Sequence, residues 1–335
     1  MERIDRLNRK NFALIIISLF AASCIVFFIG LSAGSTNVAL SEIINILLGS
    51  GSGSEEQIIL DIRLPRVLYA ALVGGGLSIA GAVFQAVLLN PLAEPYILGI
   101  SSGGTFGAVL SMLLGFSMWG TQLFAFGGAL IVMLLVFLVG KKYGELEPNV
   151  LLLSGVMIGA FFSAAILFMM TILNDSLRTA VFWLIGNLSL ARKESLPFIF
   201  VVVTSISLFL TLNSYKLNLL SLGNDSAKQL GLNTSRLKIV IYLLTSLMIG
   251  AIVSVSGIIG FVGLIIPHIC RMLFGVDNRI ILPASFFIGA SYLILADALS
   301  RIIIAPSEMP VGAITALMGA PIFIYLLRKR FQTII

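Results

Sequence analysis

The side chains able to carry out chemistry are few in this sequence. His268 is the only histidine among 335 residues, so neither an HExxH zinc site nor a serine–histidine relay can be assembled. The phosphate-binding loop GxxxxGK(S/T) is also missing, because GKK at 140–142 lacks the leading glycine and the hydroxyl residue. We therefore expect no enzymatic activity, no cofactor and no metal site. Any ATP that drives this protein should bind to another chain.

Arginines and one aspartate beside apolar stretches are the remaining candidates. Asp297 and Arg301 lie four residues apart, a spacing that allows an ion pair on one side of a helix. An ionisable group at such a place often marks a transport pathway or a partner, and a structural ion pair is the alternative. Arg63 and Arg66, in the motif IRLPR, could extend to lipid headgroups or, with Arg301, dock an acidic partner.

The composition requires a membrane as the surroundings of these residues. Hydrophobic residues make up 59 % of the chain and charged residues 11 %, with a mean hydropathy of +1.09. Soluble domains carry roughly 25 % charged residues. The apolar runs are about 20 residues long, enough to cross a bilayer as helices, and they lack the alternation of barrel strands. The sequence therefore predicts an all-α polytopic membrane protein.

Ten spans are predicted, at about 12–31, 66–87, 95–115, 121–140, 150–173, 196–213, 239–256, 260–274, 280–299 and 311–327. The first is interpreted as an uncleaved helix because its apolar run is longer than a signal-peptide core. With the N-terminus inside, 15 of the 21 lysines and arginines fall in inner segments and 6 in outer segments. The positive-inside rule then makes both termini cytoplasmic and explains the net charge of +6 without nucleic acid.

Two inner segments interrupt the apolar pattern. NPLAEP at 90–95 predicts a turn between the second and third spans, because Pro91 and Pro95 cannot continue a helix. The longest inner segment is 214–238, and within it LSLGNDSAKQLGL predicts a short helix capped by Asn224 or Asp225 and ended by Gly231. Such a helix could lie in lipid headgroups or insert into a soluble partner.

Two segments of the sequence share a weak similarity, five identities in 22 apolar positions, which either chance or an internal repeat would produce. An offset of 176 residues places ALVGGGLSIAGAVFQAVLLNPL (71–92) over LMIGAIVSVSGIIGFVGLIIPH (247–268). The second span runs inward and the seventh outward, so a true repeat, with halves of about 64–195 and 238–330, would be inverted. Many transporters use inverted repeats to alternate access between two sides.

Four long motifs follow one another along nearly the whole chain: IRLPRVLYAALVGGGLSIAGAVFQAVLLNPLAEPYILGISSGG, LSLGNDSAKQLGL, GFVGLIIPH and LADALSR…SEMPVGAITALMGAPIFIYLL. Together they resemble the permease subunits of ABC importers for iron–siderophores, haem and cobalamin. The resemblance implies one permease domain over residues 1–335, paired with a second copy or a close homologue in the inner membrane of a prokaryote. Two cytoplasmic ATPases and an extracytoplasmic substrate-binding protein would complete the importer.

The same resemblance implies roles for particular residues. Arg63, Arg66 and Arg301 match positions that receive glutamates of the binding protein. The ATPase-coupling positions are Leu222, Gly223, Asn224, Asp225, Ala227, Lys228, Leu230 and Gly231. The inner gate would consist of Asn90, Pro91 and Leu92 with a turn at Pro148 and Asn149, and the fifth and tenth spans would line the pathway. One departure is that Asn224 follows Gly223 where relatives commonly have Glu, which leaves open the acid that meets the ATPase.

The cargo stays open among ferric siderophore, haem and cobalamin, with ferric siderophore favoured. The alternative function is a secondary transporter driven by an ion gradient. Such proteins usually carry acidic residues within the membrane, and by the predicted spans only Asp297 qualifies.

Overall fold

The computed structural model describes residues 9–34, 38–51, 53–142, 145–173, 176–190 and 192–332. Its helices are α1 (Arg9–Ser32), α2 (Leu40–Leu47), α3 (Ser54–Gln57), α4 (Leu64–Val87), α5 (Ile100–Leu113), α6 (Met118–Gly140), α7 (Pro148–Ile172), α8 (Leu177–Ile185), α9 (Leu196–Leu212), α10 (Ser214–Leu220), α11 (Asn224–Gln229), α12 (Thr234–Ser256), α13 (Val262–Phe274), α14 (Asn278–Ile302) and α15 (Val311–Gln332). A π-helical stretch, Ile58–Arg63, joins α3 to α4, and a two-stranded antiparallel hairpin, β1 (Lys141–Lys142) and β2 (Glu145–Leu146), joins α6 to α7.

The predicted helical membrane architecture is confirmed. Within the described residues, seven helices are long and apolar enough to cross a bilayer: α1, the continuous helix through α3 and α4, α6, α7, α9, α12 and α14. Three shorter apolar helices are α5, α13 and the Val311–Leu326 part of α15. Each of the ten predicted spans falls on one of these helices. That the three shorter ones also cross the membrane stays a prediction.

The helix α4 forms the centre of the bundle, and nearly all its residues from Pro65 to Val87 are buried. Two of its glycines allow neighbouring backbones to come unusually close. A Cβ atom on Gly74 would overlap the carbonyl oxygen of Gly289 in α14, and one on Gly81 would overlap that of Gly263 in α13. Small residues at helix crossings let membrane helices pack through their backbones, so α4, α13 and α14 form one tightly packed unit.

The helices fall into two sets of four with matching lengths. The first set is α4 to α7, with 24, 14, 23 and 25 residues, and the second is α12 to α15, with 23, 13, 25 and 22. Their contacts are reciprocal, since α4 packs on α13 and α14 while α12 packs on α5 and α6. This pairing is what a repeat would produce.

The helices of matching length are not related by the 176-residue offset of the sequence comparison. Equivalent helices α5 and α13 begin at Ile100 and Val262, an offset of 162 residues rather than 176. The 176-residue offset also places Pro91 over Pro267, although Pro91 lies in a turn and Pro267 lies inside α13. An inverted repeat with halves of about 64–195 and 238–330 therefore stays a prediction.

The bundle has two ends, each defined by the residues that it holds. The arginine end holds Arg63, Arg66 and Arg301, at the start of α4 and the end of α14. The coupling end holds the turn 88–94, the hairpin 141–146 and the segment 214–233. The predicted topology makes the arginine end the outer side and the coupling end the cytoplasmic side.

Candidate functional site

The predicted ion pair at the arginine end is present and belongs to a larger cluster. Asp297, which is fully buried, accepts a hydrogen bond of 2.8 Å from Nε of Arg66 and lies 3.2 Å from Nε of Arg301. Nη1 of Arg66 also donates to the Glu308 carboxylate at 2.6 Å. The tight packing of α4 on α14 brings these residues together, although 231 positions separate Arg66 from Asp297.

Two of the arginines bind the end of α1. Nη1 of Arg63 donates to the carbonyl oxygens of Leu31 and Ser32, at 2.8 and 2.9 Å. The two terminal nitrogens of Arg301 donate to the carbonyls of Gly30 and Ala33, both at 2.8 Å. The last four carbonyls of a helix have no partner within the helix, and a cation there also opposes the negative end of the helix dipole. Arg63 and Arg301 therefore cap α1 from neighbouring segments.

These contacts bury the three side chains that the sequence assigned to the outer surface. The exposed fraction is 4 % for Arg63, 7 % for Arg66 and 5 % for Arg301. In this conformation little of each side chain is accessible to solvent. Glu308, with 41 % of its side chain exposed, is the accessible end of the cluster. Among the described residues, Nη2 of Arg66 has no hydrogen-bond acceptor, so the guanidinium retains one unused donor.

The predicted turn at NPLAEP is confirmed, and Asn90 stabilises it. Oδ1 of Asn90 accepts the backbone N–H of Leu92 at 2.9 Å, and the carbonyl of Asn90 accepts the N–H of Ala93. Leu92 is 45 % exposed at the coupling end. Pro95 then begins a 3-10 turn, Pro95–Leu98, which ends at Gly99 in the left-handed conformation before α5 starts.

The chain after this turn folds back into the bundle. Pro95 lies against Gly263, and Gly263 also lies against the carbonyl of Leu77 in α4. Leu77 is ten residues before the end of α4, which corresponds to about 15 Å along the helix. The segment 93–99 therefore runs beside α4 rather than along the membrane surface, and this explains why α5 has only 14 residues.

Glu94 is a functional candidate that the sequence interpretation missed. Its Oε1 accepts the backbone N–H of Phe261 at 2.8 Å, and the hydroxyl of Tyr96 accepts the N–H of Ile259 at 3.2 Å. The predicted spans contain Asp297 as their candidate acid, and Glu94, one residue before the third of these spans, is a second acid bonded to the bundle. The sequence interpretation placed Glu94 in a surface turn. Two features of the sequence could have corrected this: Glu94 is an acid in an apolar stretch, and the eighth predicted span is too short to cross the membrane.

The turn predicted at Pro148 and Asn149 is wrong, whereas the gate role of these two residues stays a prediction. These residues form the first turn of α7, with Glu147 as the preceding N-cap residue. Proline is well suited to the first position of a helix, where its missing N–H would have no intrahelical acceptor. The reversal of the chain occurs earlier, in the hairpin formed by β1 and β2.

The segment 214–233 forms two short helices, α10 and α11. Gly223 precedes α11 with a φ of 98°, and Gly231 has the predicted left-handed conformation with a φ of 83°. The expected cap by Asn224 or Asp225 is wrong, because the N-cap residue is Gly223 and no side chain caps the helix. Within α11 the side chain of Ala227 is buried, whereas Leu222 and Leu230, on either side of the helix in the chain, are more than half exposed.

An ion pair connects α11 to the hairpin before α7. Nζ of Lys228 donates to Oε1 of Glu145 at 2.8 Å. This hydrogen bond, together with the charge attraction, lowers the pKa of Glu145 and raises that of Lys228, so both groups stay charged over a wider pH range. Beside the pair is an open cavity of about 370 Å³ that is also lined by residues 231–235. At the other side of the segment, Nδ2 of Asn218 in α10 donates to Asp277 at 2.7 Å, just before α14.

Fold and site together define a multi-pass membrane protein of the transport-permease class. A family model described as the FecCD transport family matches residues 21–329. The chain belongs to this family.

Individual relatives agree with this assignment. The ABC transporter permease protein YvrB of Bacillus subtilis (strain 168) is 39 % identical over 98 % of this chain and 96 % of its own length. The molybdate import system permease protein MolB of Haemophilus influenzae is 37 % identical over 90 % of this chain and 91 % of its own. Other relatives are named for transport of hemin, vitamin B12 and Fe(3+)-citrate.

A solved structure shows the same architecture. It is an inward-facing ABC transporter assigned to the metal-chelate type, and it matches with a TM-score of 0.84 and 34 % identity over 95 % of this chain and 99 % of that one.

Proposed function

We propose that this permease is the membrane subunit of an ATP-driven importer that receives a metal chelate from an external binding protein. Membership of the FecCD transport family is the observation that carries the proposal. In the proposed assembly, two copies of the chain, or the chain and a close homologue, surround a pathway in the inner membrane of a prokaryote. Two cytoplasmic ATPases supply the energy, since the sequence holds no nucleotide-binding loop.

The arginine end is proposed to dock the binding protein. The cluster of Arg63, Arg66 and Arg301 concentrates positive charge there, and Glu308 is its accessible member. An incoming carboxylate would bind Arg66 by taking the place of Glu308, the exposed partner of this arginine. Such pairs contribute orientation and association rate more than affinity.

Reversal of the arginines tests this docking role. We expect Arg63→Glu, Arg66→Glu and Arg301→Glu, each verified to fold, to abolish uptake in reconstituted vesicles. Undiminished uptake would remove these residues from docking.

The coupling end is proposed to receive the ATPases. The exposed side chains of Leu222 and Leu230 on either side of α11 suit insertion into a groove on a soluble partner. Closure of the ATPases would move α11, and the Lys228–Glu145 ion pair would pass that movement to the hairpin and hence to α7. The shortest covalent path between α11 and α7 is much longer, because α8, α9 and α10 lie between them in the chain.

The inner gate is proposed to consist of Asn90, Pro91 and Leu92 with the first turn of α7 at Pro148 and Asn149. Leu92 presents an apolar side chain at the coupling end, and the turn 88–94 contains no cation that would hold an anionic chelate there. Exposed apolar residues along one side of α7, such as Leu153, Met157 and Phe161, would face lipid, the second subunit or the pathway.

Ferric siderophore is the proposed cargo, with haem and cobalamin as the alternatives. Relatives are named for cargoes as different as molybdate and hemin. A common fold that carries such different cargoes leaves most of the selection to the binding protein.

Purification of the complex tests the proposed assembly. The tagged chain, extracted from native membranes in mild detergent, should copurify with an ATPase whose activity is retained in the complex. Recovery of the chain without any ATPase, under conditions that keep a known ABC importer intact, would contradict the assignment.

A further inference from the structure

The turn between α12 and α13, residues 257–261, is held in a conformation that its sequence does not favour. Phe261 has a φ of 69°, one of two non-glycine residues with a positive φ among those described. A side chain with a Cβ atom is disfavoured in this left-handed region because the Cβ approaches the following carbonyl. Such strain persists only where the surrounding structure fixes it, and it often marks a functional position.

The segment after the inner turn supplies that support. The Glu94 carboxylate accepts the N–H of Phe261, at the start of α13, where a helix leaves its first N–H groups without partners. Tyr96 accepts the N–H of Ile259 in the same turn. A Cβ on Gly260 would lie 3.5 Å from Oε1 of Glu94, so the carboxylate lies in van der Waals range of this part of the turn. Glu94 and Tyr96, which precede α5, thus bind the backbone of the turn between α12 and α13.

The opposite side of the same turn contacts α15. A Cβ on Gly319 would lie 2.6 Å from the Cβ of Phe261, so α15 packs directly against this residue. Near its start, Gly312 lies against the carbonyl of Ile258 and donates its N–H to the carbonyl of Gly186, at the end of α8. The turn 257–261 therefore contacts the segment after the inner turn on one side and α15 on the other.

From these contacts we infer that Glu94 is a positioning residue, which fixes the inner turn 88–94 to α15 through the backbone of residues 257–261, so that the two move together during transport. The inference rests on the proposed function, in which the inner turn is a gate. Without the Glu94 carboxylate the inner turn would be free to open independently of α15. A carboxamide at this position still offers an oxygen acceptor of the same geometry, whereas a methyl group does not.

Hydrogen exchange in the full-length permease, reconstituted in nanodiscs, tests this connection. We compare the parent with Glu94→Ala and with the matched variant Glu94→Gln. In Glu94→Ala, amide exchange should become faster by about ten-fold at Phe261, as expected for one lost hydrogen bond, and faster in both 88–94 and 311–320. In Glu94→Gln it should stay within about two-fold of the parent, and peptides from α6 should be unchanged in both variants.

Faster exchange confined to residues 257–264, or no change, would overturn the inference. A general loss of stability would instead also accelerate exchange in α6, and this result too would count against a positioning role. If Glu94→Ala is not recovered as a folded protein, Tyr96→Phe removes only the second acceptor. This variant should accelerate exchange at Phe261, in 88–94 and in 311–320, to a smaller extent than Glu94→Ala. Unchanged exchange at these places would equally overturn the inference.

Addition of the ATPases with ATP and vanadate separates this inference from the proposed function. In the parent, exchange in 88–94 and in 311–320 should respond to nucleotide together, and in Glu94→Ala the two responses should separate. If the parent shows no nucleotide response at all, the importer proposal fails, while the comparison in the isolated permease still decides whether Glu94 connects the two segments.

Discussion

Removal of the Asp297 charge should destabilise the permease more than any exposed ion pair can. Asp297 is fully buried and lies between Arg66 and Arg301, which are 7 % and 5 % exposed. In Asp297→Asn, the buried guanidinium of Arg301 loses the carboxylate that it pairs with, and Arg66 keeps only its pair with the half-exposed Glu308. Breaking a buried pair by removing one partner typically costs about 3–5 kcal/mol, because the remaining charge is left uncompensated.

This cost translates into a measurable shift of the thermal midpoint. An unfolding entropy of roughly 2.1 cal/mol/K per residue amounts to about 0.7 kcal/mol/K for a chain of this length. The midpoint should therefore fall by about 4–7 °C. Helices that persist in detergent lower the entropy change, which would make the shift larger.

The chain contains its own reporters for the assay. Cys270 is buried and Cys24 half-buried, so a thiol-reactive dye reports unfolding of the detergent-solubilised permease. The matched control is Asp61→Asn, which breaks an exposed pair with Lys193 and should shift the midpoint by no more than about 1.5 °C. If Asp297→Asn shifts the midpoint no more than Asp61→Asn does, the buried cluster does not hold the arginine end together.

Three further predictions follow from other contacts. Gly81→Ala should prevent recovery of folded permease because its methyl group would overlap the backbone of α13, whereas Gly127→Ala in α6, which has open space at this position, should be recovered at the parent level by size-exclusion chromatography. Lys228→Glu or Glu145→Lys should each lower the uptake obtained per ATP hydrolysed in reconstituted vesicles, and the double reversal should restore it. Failure of restoration would exclude the ion pair as a coupling route. Glu308→Ala should raise the affinity of the permease for the binding protein several-fold, because it frees Arg66 for an incoming carboxylate. A lower affinity would mean that Glu308 only stabilises the segment between α14 and α15.

Local patterns in the sequence were sufficient to predict the helices and turns, but not how deep each one lies in the bundle. Hydropathy placed each apolar helix within a few residues, because a membrane helix must be apolar over its whole length. The same patterns placed NPLAEP at the surface, since prolines indicate a turn but do not indicate where the following chain goes. The return of residues 93–99 beside α4 depends on Gly263, which is distant in sequence.

The arginine end shows the same limit. The spacing of Asp297 and Arg301 predicted their ion pair correctly. Nothing in the sequence near Arg63 indicated that it would bind the carbonyls of α1, because those acceptors are backbone groups some thirty positions away. Side-chain types therefore indicated which residues matter, whereas their partners depended on packing between helices.

The source of the driving energy is the central point of the account, and uptake into proteoliposomes measures it directly. The vesicles contain the permease with its copurified ATPases, and radiolabelled ferric siderophore, haem and cobalamin are offered in turn on their binding proteins. We predict uptake of one of these cargoes that requires ATP on the ATPase side and is unaffected by collapse of proton and sodium gradients. Uptake by the permease alone, driven by an imposed ion gradient without ATPases, would contradict the account.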